Sequence, residues 1–461
     1  MSFSIHAARR ARLAEQLRAA GGGVALLPTA PERLRNGDSE HPYRHDSHFH
    51  HLTGFDEPQA WLVLRSDGRS TLFCRPADPE HAVWHGHQLG TEAAPQALGI
   101  DEALPIGRLN EAMPGLLAGQ GSVWFAFGRP PELSGQVEGW LATLRVQERR
   151  GVECSTQCRD LHPLMAEMRL IKDAGELATM RRAASISAGA HQRAMRYCAQ
   201  RFRQGASAVH EYEIEAELLH EFRRHGAQGP AYPSIVAAGA NACVLHHPAG
   251  PARLLPDELC LVDAGCELDG YASDITRTFP ASGCFSGPQR TLYELVLAAQ
   301  QAAIDATQPG LRQRDAHHAA VRVLSEGLLA LGLLSRDVHG TVDDVIASAA
   351  YRTFYMHGTG HWLGRDVHDV GEYLSLGEAP IEQPDGFGGT VVKRPSRVLQ
   401  PGMVVTLEPG LYVRPAPDVP ERYWHIGIRI EDDAIVTDSG CELITRGVPV
   451  APDEIEAWMR R

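Results

Sequence analysis

Leu259-Cys260-Leu261-Val262-Asp263-Ala264-Gly265 is an apolar run that ends in a carboxylate. Glu267-Leu268-Asp269-Gly270 then supplies turn chemistry, and Tyr271–Phe279 returns as a second strand-forming run. The pair reads as an antiparallel hairpin. A loop symmetric about the Leu268–Asp269 bond sets Asp263 directly opposite Asp274, with Cβ atoms about 5 Å apart. A tighter turn at Asp269-Gly270 shifts that register by two residues, and the sequence leaves both open. Two carboxylates so close are costly unless one is protonated or a cation sits between them.

The same pattern recurs downstream. Val404-Val405-Thr406-Leu407-Glu408 is an apolar strand ending in a carboxylate, stopped by Pro409-Gly410. In His425–Glu431, Ile426, Ile428 and Ile430 take one face while Arg429 and Glu431 take the other. Between the hairpin and these runs, His357, His361 and His368 fall within Met356–Asp369 among several glycines, a texture of irregular backbone lining a cleft. Asp263, Asp274, His361, Glu408 and Glu431 together form an oxygen-rich set with one imidazole. Such a set suits manganese, cobalt or similar ions better than a structural zinc. Four negative charges balance two divalent cations, which at roughly 3.5–4 Å spacing generate a hydroxide nucleophile and stabilise an oxyanion.

The rest of the chain frames this set. Ala60–Leu64, Ser70–Arg75 and Val123–Phe127 read as strands in the first third, with helices at Met1–Leu17 and Gly135–Val146. A long helical pattern starts at Asp173, an N-cap with Glu176 as capping-box partner. The domain boundary is placed there, giving 1–170 and 171–461. Beyond it, helices at His210–His225, Gln289–Ala306 and Arg314–Leu331 alternate with strands, which predicts an α+β domain with a mainly antiparallel sheet. Residues 373–401 are the longest irregular piece, a functional flap or a surface loop.

Composition excludes several classes. The chain has 461 residues, 43% hydrophobic and 22% charged, enough for a sizeable core. Lys plus Arg total 44 against 57 Asp plus Glu, a net charge of −13 that argues against nucleic acid as a partner. No apolar run is long enough to span a bilayer and the N-terminus lacks a secretory h-region, so no membrane association is expected. Nine scattered cysteines suit reduced thiols and a cytoplasmic location. Cys154 and Cys158 lack the second pair a zinc ribbon needs. His220 and His225 are five apart, so a regular helix cannot aim both at one metal. Neither a Gly-x-Ser-x-Gly elbow nor a Walker loop occurs.

Several motifs in order resemble the aminopeptidase P family of Xaa-Pro aminopeptidases, within the creatinase, prolidase and methionine aminopeptidase group. They are Leu261–Gly265, Asp274–Phe279, Met356–Gly364, Asp366–Gly371, Leu407–Gly410 and Gly427–Asp432, with Asp38–Arg44, Leu52–Phe55 and Trp84 further upstream. The resemblance implies a C-terminal pita-bread catalytic domain behind a smaller creatinase-like α/β domain. It implies that Asp263, Asp274, His361, Glu408 and Glu431 hold two divalent ions, manganese first, with cobalt or zinc as alternatives. Glu408 would also accept the proton of the attacking water. His246, His357 and His368 would act on the substrate, and Tyr412, Arg429 and Trp84 would shape its pocket. The implied substrate is a peptide with proline at the second position, and the implied assembly a homodimer or homotetramer. Prolidase, which takes Xaa-Pro dipeptides, is the enzyme alternative. A non-catalytic pita-bread binding module is the other, though all five ligand positions are filled. The Gly/Pro-rich stretch 372–399 departs from the family pattern, and His247 has no counterpart in it.

Overall fold

The computed structural model describes residues 3–384 and 390–461, and the chain divides into two compact units, Met1–Arg169 and Leu170–Arg461.

In the first unit a six-stranded sheet mixes parallel and antiparallel pairs. Its central strands Val24–Pro28 and Trp61–Arg65 are buried on both faces, so alternate residues feed two separate cores. Ala25, Leu27, Leu62 and Leu64 meet the helices Phe3–Ala19, Ser47–Thr53 and Gly90–Leu98 on one side. Val24, Leu26, Trp61 and Val63 meet Leu109–Leu117 and Leu133–Arg145 on the other. This is the three-layer answer to strands with no polar face.

In the second unit, every strand pair formed by described residues is antiparallel. The helix Ala174–Arg203 starts at Asp173, whose side chain caps Gly175 and Glu176 while the Glu176 carboxylate returns to the Asp173 amide. It packs on Glu211–Arg224, and Gly287–Asp305 packs on Gln313–Ala330. Phe222, Val262, Phe279, Val296, Trp362 and Ile428 belong to the one large core these helices cover.

The hairpin takes the tighter register. Asp263 pairs with Thr276, not Asp274, and Leu268 pairs with Tyr271 around a two-residue turn. Asp269 and Gly270 both have positive φ, 51° and 73°, as a type I′ turn demands, and its twist matches that of the strands. The strand expected over His425–Glu431 is shorter than its alternation suggests: it spans Ile426–Arg429, because His425 sits at φ 64° and Glu431 has already left the ladder. Residues 373–401 are not wholly irregular. Ile381–Pro384 pairs with Thr390–Lys393 as a ribbon, its β-branched residues outweighing the nearby prolines and glycines, and the tip between them lies outside the described residues. Arg312 anchors its base through an ion pair to Glu378 at 2.7 Å.

Candidate metal centre

Four polypeptide segments deliver the acidic cluster. Asp263 ends the strand Leu259–Asp263, and Asp274 lies in the short unladdered stretch between Ala272 and Thr276. Gly265 faces that stretch so closely that a Cβ there would lie 1.7 Å from the Ser273 carbonyl oxygen. Only glycine lets the two backbones pinch together at the point where the carboxylates converge. Glu408 and Glu431 follow Leu407 and Ile430, and the buried Gln300 amide donates to both of those carbonyls and to Asp432, at 3.0–3.3 Å. One side chain thus sets the spacing of two strand ends.

His361 reaches the cluster from the Gly-rich loop. Its Nδ1 faces the Trp362 carbonyl at 3.0 Å, which places the proton there and leaves the Nε2 lone pair pointing inward. Nε2 lies 3.6 Å from Asp274 Oδ2 and 3.6 Å from Glu408 Oε1. Donor atoms of Asp274, His361 and Glu431 all fall within 4.8 Å of one another.

The electrostatics fit a cation. Burial, and then the other carboxylates, push Glu431 well above the usual range, and burial pushes Glu408 up to about 7. Asp274 is likewise raised, by burial and by Asp263, against the pull of His361. Burial works to lower the His361 pKa, yet the neighbouring Asp274 and Glu408 carboxylates raise it to about 9, so without an ion Nε2 holds a proton that a metal would displace. Tyr232 makes the deficit concrete. Its hydroxyl lies 2.6 Å from Asp263 Oδ1 and also against Asp274 Oδ1, but a phenol has one proton to give. The second contact needs another proton or a cation. Arg429 supplies a fixed positive charge, bonding Asp263 Oδ2 at 2.6 Å, and the other carboxyl groups reach charge balance by holding protons, which a cation would replace. Oxygen donors with one imidazole around such a deficit suit one or more divalent ions.

The wall beside the cluster is a fixed relay. Arg429 can only donate, so its Nη1 gives to the Tyr412 hydroxyl at 2.9 Å, and that hydroxyl gives to His357 Nε2 at 2.8 Å. His357 then carries its proton on Nδ1, 2.7 Å from the Gly358 carbonyl. Burial, with the Arg429 charge adding to it, lowers the His357 pKa to about 3, so the ring is neutral. His368 stands edge-on to His361 at 4.3 Å between ring centroids, and His246 is near enough for its charge to depress His368. Both rings are exposed. Ten of the expected site residues thus gather in the second unit. Trp84 belongs to the first, on the short helix Pro79–His85, with 83% of its surface exposed.

Several contributors carry no signal in the sequence reading. Tyr232 sits between two prolines without periodicity. Thr276 bonds Glu431 Oε2 at 2.7 Å and accepts from Arg429 Nε at 3.1 Å, and only its place in the hairpin could have marked it. His247 pairs with the fully buried Glu211 at 2.9 Å, and Glu211 also accepts from the Ala238, Asn241 and Gly250 N–H groups. That carboxylate ties down the loop bearing His246.

A second group, His45, His50 and Asp56, offers metal-type atoms in the first unit. Its two rings are stacked 3.7 Å apart at 15°, and His45 Nδ1 and His50 Nε2 both bond Asp56 Oδ1, at 3.1 and 2.8 Å, so each ring already has the carboxylate as its partner.

Residues 178–438 match the model of metallopeptidase family M24, and residues 6–124 match the aminopeptidase P N-terminal domain. The chain is 43% identical to an Xaa-Pro aminopeptidase of Escherichia coli, over 98% of this chain and 96% of that one. An Xaa-Pro aminopeptidase of Haemophilus influenzae is 41% identical over the same shares. Among solved structures, Pseudomonas aeruginosa aminopeptidase PepP is similar at 45% identity and TM-score 0.89, covering 98% of each chain. Escherichia coli aminopeptidase P in complex with substrate is similar at 41% identity and TM-score 0.90, covering 100% of this chain and 98% of that one. The second unit therefore has the pita-bread fold, and the chain belongs to metallopeptidase family M24, among its aminopeptidase P members.

Proposed function

We propose that this chain removes the N-terminal residue from peptides whose second residue is proline. The observation that carries the reading is the convergence of the buried Asp263, Asp274 and Glu431 with the half-buried His361 and Glu408, four carboxyl groups and one imidazole in one cluster. These five side chains hold two divalent ions, with manganese the first choice on donor chemistry. When bound, such ions activate water and stabilise the negative charge that develops on the scissile carbonyl oxygen.

The chain's own residues supply the remaining tasks. Glu408 accepts the proton of the attacking water, and the Thr406 hydroxyl, donating to its Oε1 at 3.3 Å, holds the carboxylate in place. His246 and His368, with exposed rings, hydrogen-bond the carbonyl oxygen and the departing nitrogen. That nitrogen is a secondary amine and must gain a proton to leave. The neutral His357, Tyr412 and Arg429 form a wall with fixed hydrogen bonds, which positions the proline ring without donating to it.

The exposed Trp84 fits a role at the substrate entrance of a neighbouring copy, so we expect a homodimer or homotetramer. Sedimentation giving a monomer at micromolar concentration would reject that assembly. Among the described residues no helix is long and apolar enough to cross a membrane, and with nine free cysteines this is compatible with the cytoplasm. Hydrolysis of Xaa-Pro-Xaa tripeptides against Xaa-Pro dipeptides tests the function. Tripeptide cleavage is expected, and dipeptide cleavage alone would make the chain a prolidase.

A further inference from the structure

A cavity of about 850 Å³ opens beyond His357 and Gly358, within the second unit. The helix Gln313–Ala330 contributes Arg314, His318 and Arg322, the 3-10 helix Ala350–Thr353 contributes Arg352, and the strand Thr390–Lys393 contributes Lys393. Among the described residues no lining side chain is acidic, although acids outnumber bases 57 to 44 in the chain. Arg322 is paired with Asp343 at 2.9 Å. Arg352 donates to the Met356 carbonyl at 3.3 Å, a neutral partner. His317, also in the lining, titrates down at about 4 because of burial, with His318, Arg314 and Arg352 adding to the effect. The potential in this cavity is therefore positive beside a metal centre that is acidic.

An enzyme that releases one residue at a time needs room for only one residue on the amino side of the scissile bond. A space of this size, within the range of specific ligand pockets and bordered by His357, has room for the peptide chain that continues past proline. We infer that the cavity binds the carboxyl-terminal side of the substrate and selects peptides carrying acidic residues, or a free terminal carboxylate, downstream of proline. The inference rests on the proposed Xaa-Pro aminopeptidase activity and adds its substrate class. Arg314 and Arg352 line the wall together with Lys393, so the strand Thr390–Lys393 takes part in choosing the substrate. Exposed ion pairs contribute modestly, and two of them amount to roughly 3- to 10-fold in kcat/KM.

The test compares two peptides of equal length with proline second, one ending Ala-Ala-amide and one ending Asp-Glu with a free carboxylate. The acidic peptide should have the higher kcat/KM by that factor, mostly through KM, and the advantage should shrink as salt rises from low to about 0.5 M. In Arg314→Glu/Arg352→Glu, and separately in Lys393→Glu on the exposed ribbon, the ratio of acidic to neutral should fall to unity or below. A wild-type ratio near one, or a ratio unmoved by the charge reversals and by salt, overturns the inference while neutral-peptide cleavage upholds the activity. Cleavage of neither peptide by the metal-loaded protein overturns the activity itself. The wild-type salt titration needs no variant to fold.

Discussion

At the scale of single residues, the site depends on groups whose charge is set by burial. Glu408→Gln keeps the shape of the side chain and removes its basicity. Its kcat should fall on the order of 10²–10⁴-fold, typical of a lost general base, with weaker metal binding. Near-normal turnover with metal retained would remove Glu408 from the mechanism. His246→Ala and His368→Ala should lower kcat and kcat/KM together with metal content unchanged, the pattern of interactions made mainly in the transition state. Metal loss in either variant would reassign it as a ligand. Outside the site, His191 is fully buried with Nε2 bonded to the Ala264 carbonyl at 2.9 Å, and burial lowers its pKa from 6.5 to about 4. The unfolded chain therefore binds a proton below 6.5 that the folded chain refuses until about 4. Stability should drop as pH falls through that window, by at most roughly 3 kcal/mol from this group. His191→Gln keeps a hydrogen-bonding group and should flatten the slope of urea-unfolding free energy against pH. An unchanged slope would show that other groups carry it.

At the scale of elements, close backbone approaches convert strand ends into a site. A Cβ on Gly360 would lie 1.9 Å from the Thr406 carbonyl oxygen, and His361, the next residue, bonds Thr406 in turn. Gly360→Ala should therefore displace the His361 loop, lowering metal affinity and activity at least as much as it lowers Tm; full activity at normal metal content would deny that coupling. Much of this level was legible in the sequence. Apolar runs ending in Asp263 and Glu408, the cap at Asp173 and the alternation of Ile426–Ile430 all follow from local patterning. The hairpin register was not, because a symmetric four-residue loop and a two-residue turn share the same residues. The positive φ at Asp269 and Gly270 decides it, and the diagonal Asp263–Asp274 relation replaces a direct pair. Tyr232, Glu211 and Gln300 escaped because each acts on residues distant in sequence, through contacts that no local period encodes.

At the scale of the whole molecule, the two units divide the labour: a sheet covered on both faces in one, and an antiparallel scaffold holding the cluster in the other. An acidic cluster with its counter-charge missing is poor for stability on its own, since removing one partner of a buried charge pair costs about 3–5 kcal/mol. The cluster makes sense as part of a metal-loaded enzyme, in which the ions add stability by binding only the folded state. The most direct test titrates Mn(II) into metal-depleted protein while following release of the first residue from an Xaa-Pro-Xaa tripeptide. Activity should rise from near zero and level off at two ions per chain. Activity that is absent at saturation, or present with less than one ion bound, would contradict the account.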